Sequence, residues 1–245
     1  MLALIDEMNG SVEYWLEAQF KKTPPALLLA QDASPYEEMR KRFRRIAKQW
    51  LKKFDDAAPK IAEAYLKGSF KATDSAMRMA LKDAGLAVKF EMSPAMRDAF
   101  NASLSENIGL IKSIPEQYLQ KVEGVVARGY AAGRDLQAMI KGIKRIYPLT
   151  QNRAVLIARD QSNKANATVT KGRQIELGIN QAQWKHSHGG KVPRPDHVAA
   201  DGRIYDVSKG CLISGKYIYP GEEINCRCTS RSVLPTGLNG AKFNA

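Results

Sequence analysis

The residue types best suited to chemistry crowd into one short part of the chain. All three histidines (His186, His188 and His197) fall within twelve residues, all three cysteines (Cys211, Cys226 and Cys228) follow shortly after, and the first 185 residues hold neither type. Alternate residues of an extended strand face the same side, so Cys226 and Cys228 are placed to present two sulfurs to one point. With His197 and Cys211 they supply the ligand set of a tetrahedral structural zinc site, one imidazole and three thiolates. Such an ion would staple a region too poor in apolar residues to hold itself together. The same residues also suit a plainer arrangement, in which the cysteines are small buried hydrophobes and His197 is a hydrogen-bonded structural side chain. A disulfide from Cys211 to either of the pair fits the geometry but not a reducing cytoplasm.

Catalysis is the second chemistry on offer. His197 with Asp196 and Asp201, close to Arg194, provides acid, base and cation, which matter only if they converge on a pocket. An aspartate before glycine, as in Asp201-Gly202, is more at home in a tight turn. The sequence holds no Walker phosphate loop, no nucleophile-elbow serine and no helical pair of metal-binding histidines. The enzymatic alternative is therefore a metal-dependent nucleic-acid-processing enzyme built on His197 and the cysteines.

Other elements must position these residues. From Met1 to about Tyr147 apolar residues recur at intervals of three and four, interrupted at Pro24-Pro25, Ser34-Pro35, Ser93-Pro94 and Ile114-Pro115, the pattern of a helical array. Ser34-Pro35 supplies an N-cap and a first-turn proline. The helix that follows lines up Met39, Phe43, Ile46, Ala47, Trp50, Leu51 and Phe54 on a stripe that must be buried. Past Pro115 one helix with Val122, Val125 and Val126 runs to Gly129, and another with Leu136, Met139, Ile140, Ile143 and Ile146 is expected to stop before Pro148. A third, Gln151 to Leu177 with Thr150 as cap, ends at Gly178, which suits a left-handed C-terminal cap. That helix carries a stripe of small residues, Ala154, Ala158, Ala165 and Gly172, beside a polar stripe of Arg159, Asn163, Asn166, Thr170 and Arg173. Beyond it, glycines and prolines punctuate short apolar pieces such as Arg203 to Val207 and Lys216 to Tyr219, a turn-rich β region. The fold class is α+β, with a mainly helical N-terminal array (residues 1–112), a C-terminal domain with a long helix and a small β region (113–235), and a loose tail (236–245).

A net charge of +13 and an isoelectric point near 9.6 point to an anionic partner. Between Met39 and Phe54 there is no acid, so Arg40, Lys41, Arg44, Arg45, Lys48 and Lys52 are candidate DNA contacts; the alternative is a solvated helix face. A second basic stretch, Leu136 to Ile175, holds Asp160 as its sole acid. Phosphate contacts of this kind bring affinity and salt dependence without sequence readout. Trp15, Trp50 and Trp184 sit among apolar residues and suit a core. No secretion signal opens the chain and no apolar run reaches the roughly 18 residues of a membrane span, so an intracellular protein with no membrane partner is expected.

Several of these segments together resemble the phage Mu F-like head morphogenesis family. They are I-A-R-D-Q-S-N-K-A-N-A (Ile157 to Ala167), R-Q-I-E-L-G-I (Arg173 to Ile179), Trp184, R-P-D-H-V-A-A-D-G (Arg194 to Gly202) and Y-P-G-E-E-I-N-C-R-C (Tyr219 to Cys228), in the family's order. Two positions depart from the family's pattern: Asp160 stands where a threonine is common, and Lys191-Val192-Pro193-Arg194 stands where two arginines are common. Only Arg194 carries over from that run. The resemblance implies a shared structural core of Arg159, Asn166, Arg173, Trp184, His197, Asp201, Gly202, Cys226 and Cys228. It also implies a minor head protein without enzymatic activity, resident in the virion at the head interior or portal vertex and in the host cytoplasm during assembly. The partners it implies are a portal protein, a major capsid or scaffold protein, and viral DNA. Within such a domain, the polar stripe of the long helix can satisfy backbone groups of the β region and fix it without a large apolar core.

Overall fold

The computed structural model describes residues 1–22, 35–133, 135–189 and 192–234. Four long helices, α1 (Leu2–Lys22), α2 (Pro35–Asp83), α3 (Pro94–Ala131) and α4 (Leu136–Glu176), precede the short helix α5 (Pro195–Ala199) and five short strands. The strands are β1 (Gln181–Lys185), β2 (Ile204–Asp206), β3 (Cys211–Ile213), β4 (Lys216–Ile218) and β5 (Thr229–Ser232). A helical N-terminal part followed by small antiparallel strands is the α+β class read from the sequence. The chain packs as two compact units, Met1–Ala62 with Asn107–Ile157, and Glu63–Glu106 with the residues from Ala158 onward.

In the first unit each helix buries one stripe. Ile5, Met8, Val12 and Leu16 of α1 are fully buried, and Met39, Phe43, Trp50 and Phe54 of α2 are buried. Ile46, Ala47 and Leu51 sit half-buried at the edge of the α2 stripe. Val122 and Val126 of α3 and Met139 and Ile143 of α4 complete the core. A Cβ on Gly142 would lie 2.6 Å from Val125 Cγ1, so α3 and α4 meet backbone to side chain. The buried Tyr118 hydroxyl donates to Asn9 Oδ1 at 2.7 Å.

The prolines do not end the helices. α3 runs through Pro115 and α4 through Pro148, while Thr150 sits inside α4, its Oγ1 donating to the Ile146 carbonyl at 3.1 Å. An internal proline forfeits one backbone hydrogen bond and crowds the preceding turn, about 3 kcal/mol. Continuity of the buried stripe offsets this, since Ile111 and Ile114 precede Pro115 and Tyr118 and Leu119 follow it, and Ile143 and Ile146 precede Pro148 with Ala154 beyond. Breaking either helix would expose half of its stripe. The interruption at Ser93-Pro94 does occur, with Ser93 Oγ accepting from the Met96 N–H at 3.2 Å ahead of α3. Pro24-Pro25, the Ser34 cap and the tail from Thr236 lie outside the described residues.

In the second unit Leu66, Phe70, Met96, Ala165 and Val169 form one apolar cluster, and Leu81, Leu86, Leu177 and Ile179 another. Gly178 (φ +67°) ends α4 in the left-handed conformation, with Ile179 N–H bonded to the Gln174 carbonyl and Gly178 N–H to that of Ile175. This paired cap turns the chain directly into β1. β1 is the centre of a three-stranded antiparallel sheet ordered β2-β1-β5, and β3 and β4 form a separate hairpin. The inward residues Ala182 and Trp184 of β1 join Ala200, Tyr205, Val207, Cys211, Ile213, Cys226 and Cys228 in the core of the β region.

Candidate metal centre

Three of the residues singled out for metal binding converge. α5, opened by Pro195, directs His197 inward until only 3% of the residue is exposed. Cys226 and Cys228 lie in the segment that leads into β5, and both sulfurs face the imidazole. His197 Nδ1 is 3.4 Å from Cys226 Sγ and 3.7 Å from Cys228 Sγ, and the ligand atoms all lie within 4.8 Å of one another. Among the described residues no other group of three or more potential metal ligands comes together.

Cys211 is not part of this group. On β3, paired opposite Ile218 of β4, its side chain points into the apolar core, and burial pushes its thiol pKa up. Of the four residues expected from the sequence to converge, three do and Cys211 does not, because the hairpin register, which spacing does not reveal, decides which way Cys211 faces.

The surroundings favour negative charge on sulfur. Interaction with the neighbouring Cys228 thiol is the main cause that pulls the Cys226 pKa below the usual thiol range; the Cys228 and Gly221 backbone N–H groups and nearby His197 add to this, while burial opposes it. Cys228, the partner that keeps its proton beside that thiolate, is pushed up. Gly221 N–H points at Cys226 Sγ from 3.3 Å. That close approach needs glycine, since φ is +88° and a Cβ there would meet the Asn163 carbonyl and the Ala167 methyl at 3.2 Å. Trp184, fully buried, stacks edge-on against His197 with ring centroids 5.1 Å apart. On its far side His197 Nε2 lies 3.2 Å from a Glu223 carboxylate oxygen, off line for a hydrogen bond. An imidazole and two sulfurs facing one point can hold a soft divalent cation or share a proton.

The long helix secures the segments around this centre. Asn163 Nδ2 donates to the Cys226 carbonyl at 2.8 Å, and Asp160 Oδ1 accepts from Asn225 N–H at 2.6 Å. Gln174 Nε2 reaches the hydroxyls of both Ser230 and Ser232 on β5 at 3.0 Å. The family departure at Asp160 is thus a working contact, and its signal was its place three residues before Asn163 on the same helix face. Gln174, Gly221 and Glu223 had no such signal.

The other singled-out residues take structural places. Arg173 makes a two-pronged bridge to Asp74 with both contacts at 2.9 Å and also binds Glu176. Asn166 accepts from Thr73 Oγ1 at 2.7 Å, whereas Arg159 is simply exposed. Asp201 Oδ1 accepts from His186 N–H at 2.9 Å, and Gly202, at φ +81°, returns the chain to β1 through a bond from its N–H to the Trp184 carbonyl. Asp196 and Asp201 do not join His197 in a pocket: Asp196 accepts from the Ser214 hydroxyl and from the His197 backbone N–H. On α2, Lys41, Arg44, Arg45 and Lys48 are exposed, while Arg40 bridges Glu123 and Lys52 bridges Asp56, each at 3.2 Å.

Known proteins extend this description. Residues 120–231 match the family model described as Phage Mu protein F like protein. An uncharacterized protein of Haemophilus influenzae is 39% identical over 145 residues, which is 58% of this chain and 31% of that relative. The chain thus spans about a third of that relative's length. No solved structure matches. The converging His197, Cys226 and Cys228, with the Asn163 and Asp160 contacts that secure their segment, fall inside the matched span, and over residues 120–231 the chain is similar to the phage Mu protein F-like family.

Proposed function

We propose that this chain is a minor head protein of a phage, a virion assembly component that docks on portal and shell proteins at the head interior and touches the packaged DNA. The family match over residues 120–231 carries this reading. The α2 surface supports the DNA contact: Lys41, Arg44, Arg45 and Lys48 follow the i, i+3, i+4, i+7 spacing of one helix face, are exposed, and form no ion pair among the described residues. Such a stripe, about 10 Å long, suits a phosphate backbone without base readout.

A scaffold role also fits what the polar residues of this unit do. Arg173, Asn163, Asp160 and Asp201 are engaged in holding backbone and side chains of the same unit together. His197, Cys226 and Cys228 are 3%, 3% and 6% exposed, which leaves a nucleic-acid substrate no approach and disfavours a processing enzyme at this centre. No helix among the described residues is long and apolar enough to cross a membrane. Protein identification on purified phage particles, with and without DNA, tests the assignment: the chain is expected in both, at low abundance relative to the shell protein. Its absence from mature particles and from assembly precursors would overturn it.

A further inference from the structure

We propose that His197 Nδ1 and the Sγ atoms of Cys226 and Cys228 hold one zinc ion that ties α5 to the segment entering β5, with an exogenous fourth donor, water in the isolated chain. Tetrahedral zinc with bonds of about 2.3 Å to sulfur and 2.05 Å to nitrogen places neighbouring S and N ligands about 3.6 Å apart. The two sulfur–nitrogen separations here are 3.4 and 3.7 Å, and all three ligand atoms lie within 4.8 Å of one another, spacings that suit one such ion.

The atoms around the ligands are those a metal site requires. A metal-bound imidazole turns its other nitrogen to a carboxylate, which fixes the ring and raises its basicity; His197 Nε2, a buried atom without a hydrogen bond, faces Glu223 at 3.2 Å. Bound thiolates need N–H donors, and Gly221 N–H points at Cys226 Sγ from 3.3 Å. Trp184 Nε1 is likewise buried without a hydrogen bond, in the same core that holds Cys226 and Cys228. Two thiolates and an imidazole favour zinc over calcium or magnesium, which prefer oxygen ligands.

The role is structural. The β3–β4 hairpin has three residues per strand and the sheet strands three to five, lengths that give little independent stability. An ion joining residue 197 to residues 226 and 228 closes the loop that contains the hairpin. Cys211 lies inside that loop but takes no part in the site.

The test uses the full chain expressed in a reducing host and purified without chelator, with zinc per chain measured by mass spectrometry and the site probed by cobalt substitution. The expected result is close to one zinc per chain for the wild type and for Cys211→Ser, and at least about tenfold weaker retention for Cys226→Ser and His197→Ala. If those two variants fail to fold, the cobalt spectrum of Cys211→Ser carries the test: it should show tetrahedral bands and a thiolate charge-transfer band equal to that of the wild type. A wild type that stays metal-free after dialysis against zinc would overturn the proposal, and so would loss of the ion in Cys211→Ser. A Cys226–Cys228 disulfide in anaerobically prepared protein would overturn it as well.

Discussion

Replacing Arg173 with methionine removes the most heavily used polar side chain of the second unit while keeping its apolar stem. The guanidinium side chain is 2% exposed. It donates to Asp74 Oδ1 and Oδ2 at 2.9 Å each, to Glu176 Oε2 at 2.7 Å and to the Glu91 carbonyl at 2.6 Å, and it lies 4.8 Å from the Phe90 ring centre. Removing one partner of a buried ion pair costs about 3–5 kcal/mol because the other charge is stranded. Asp74 and Glu176 retain 18% and 23% side-chain exposure, so water reaches the stranded carboxylates and the lower end, about 3 kcal/mol, is expected. For a chain of this size that lowers the midpoint by about 6–12 °C. Hydrogen exchange at β1 and at the end of α4 reads this unit separately from the other, and Asp74→Asn with the double variant completes a thermodynamic cycle. A loss below about 1 kcal/mol, or losses that simply add in the double variant, would refute the claim that this cluster holds the unit together. Arg173→Lys keeps the charge without the planar fork and should recover only part of the stability.

Other perturbations have equally definite outcomes. Asn163→Ala strands the Cys226 carbonyl and should cost about 1–3 kcal/mol in chemical denaturation; Asp160→Ala, in a more hydrated setting, should cost about 1 kcal/mol. Gly142→Ala drives a Cβ to within 2.6 Å of the branched Val125 and should destabilise by about 1–3 kcal/mol despite the better helix propensity of alanine. Gly172→Ala meets the flexible Met96 sulfur instead and should be close to neutral, so equal effects at the two glycines would count against this packing account. Changing Lys41, Arg44, Arg45 and Lys48 to glutamine should lower the slope of log affinity against log salt for duplex DNA by about 3 to 4; an unchanged slope would remove α2 from the DNA contact.

The helices, the cationic α2 face, the left-handed stop at Gly178 and the paired sulfurs of Cys226 and Cys228 are legible in the sequence. Each depends on a local repeat or a local backbone preference: burial every three to four residues, charge on one helix face, a glycine at positive φ, and alternation along a strand. The resemblance to the phage Mu protein F-like family is legible for the same reason, since it rests on residues in a fixed order. Pro115 and Pro148 show where local rules stop. Their cost of about 3 kcal/mol is real, but the apolar stripes that continue past them can be weighed only once the neighbouring helices are in place. Asp160 looked like a departure without a role until the loop at Asn225 came to rest on it. The centre itself divides the same way: alternation aimed two sulfurs at one point, whereas His197 meets them because α5 packs on Trp184, and Cys211 turns away because its strand pairs with Ile218. Those are decisions of long-range packing and register, which only the tertiary structure makes.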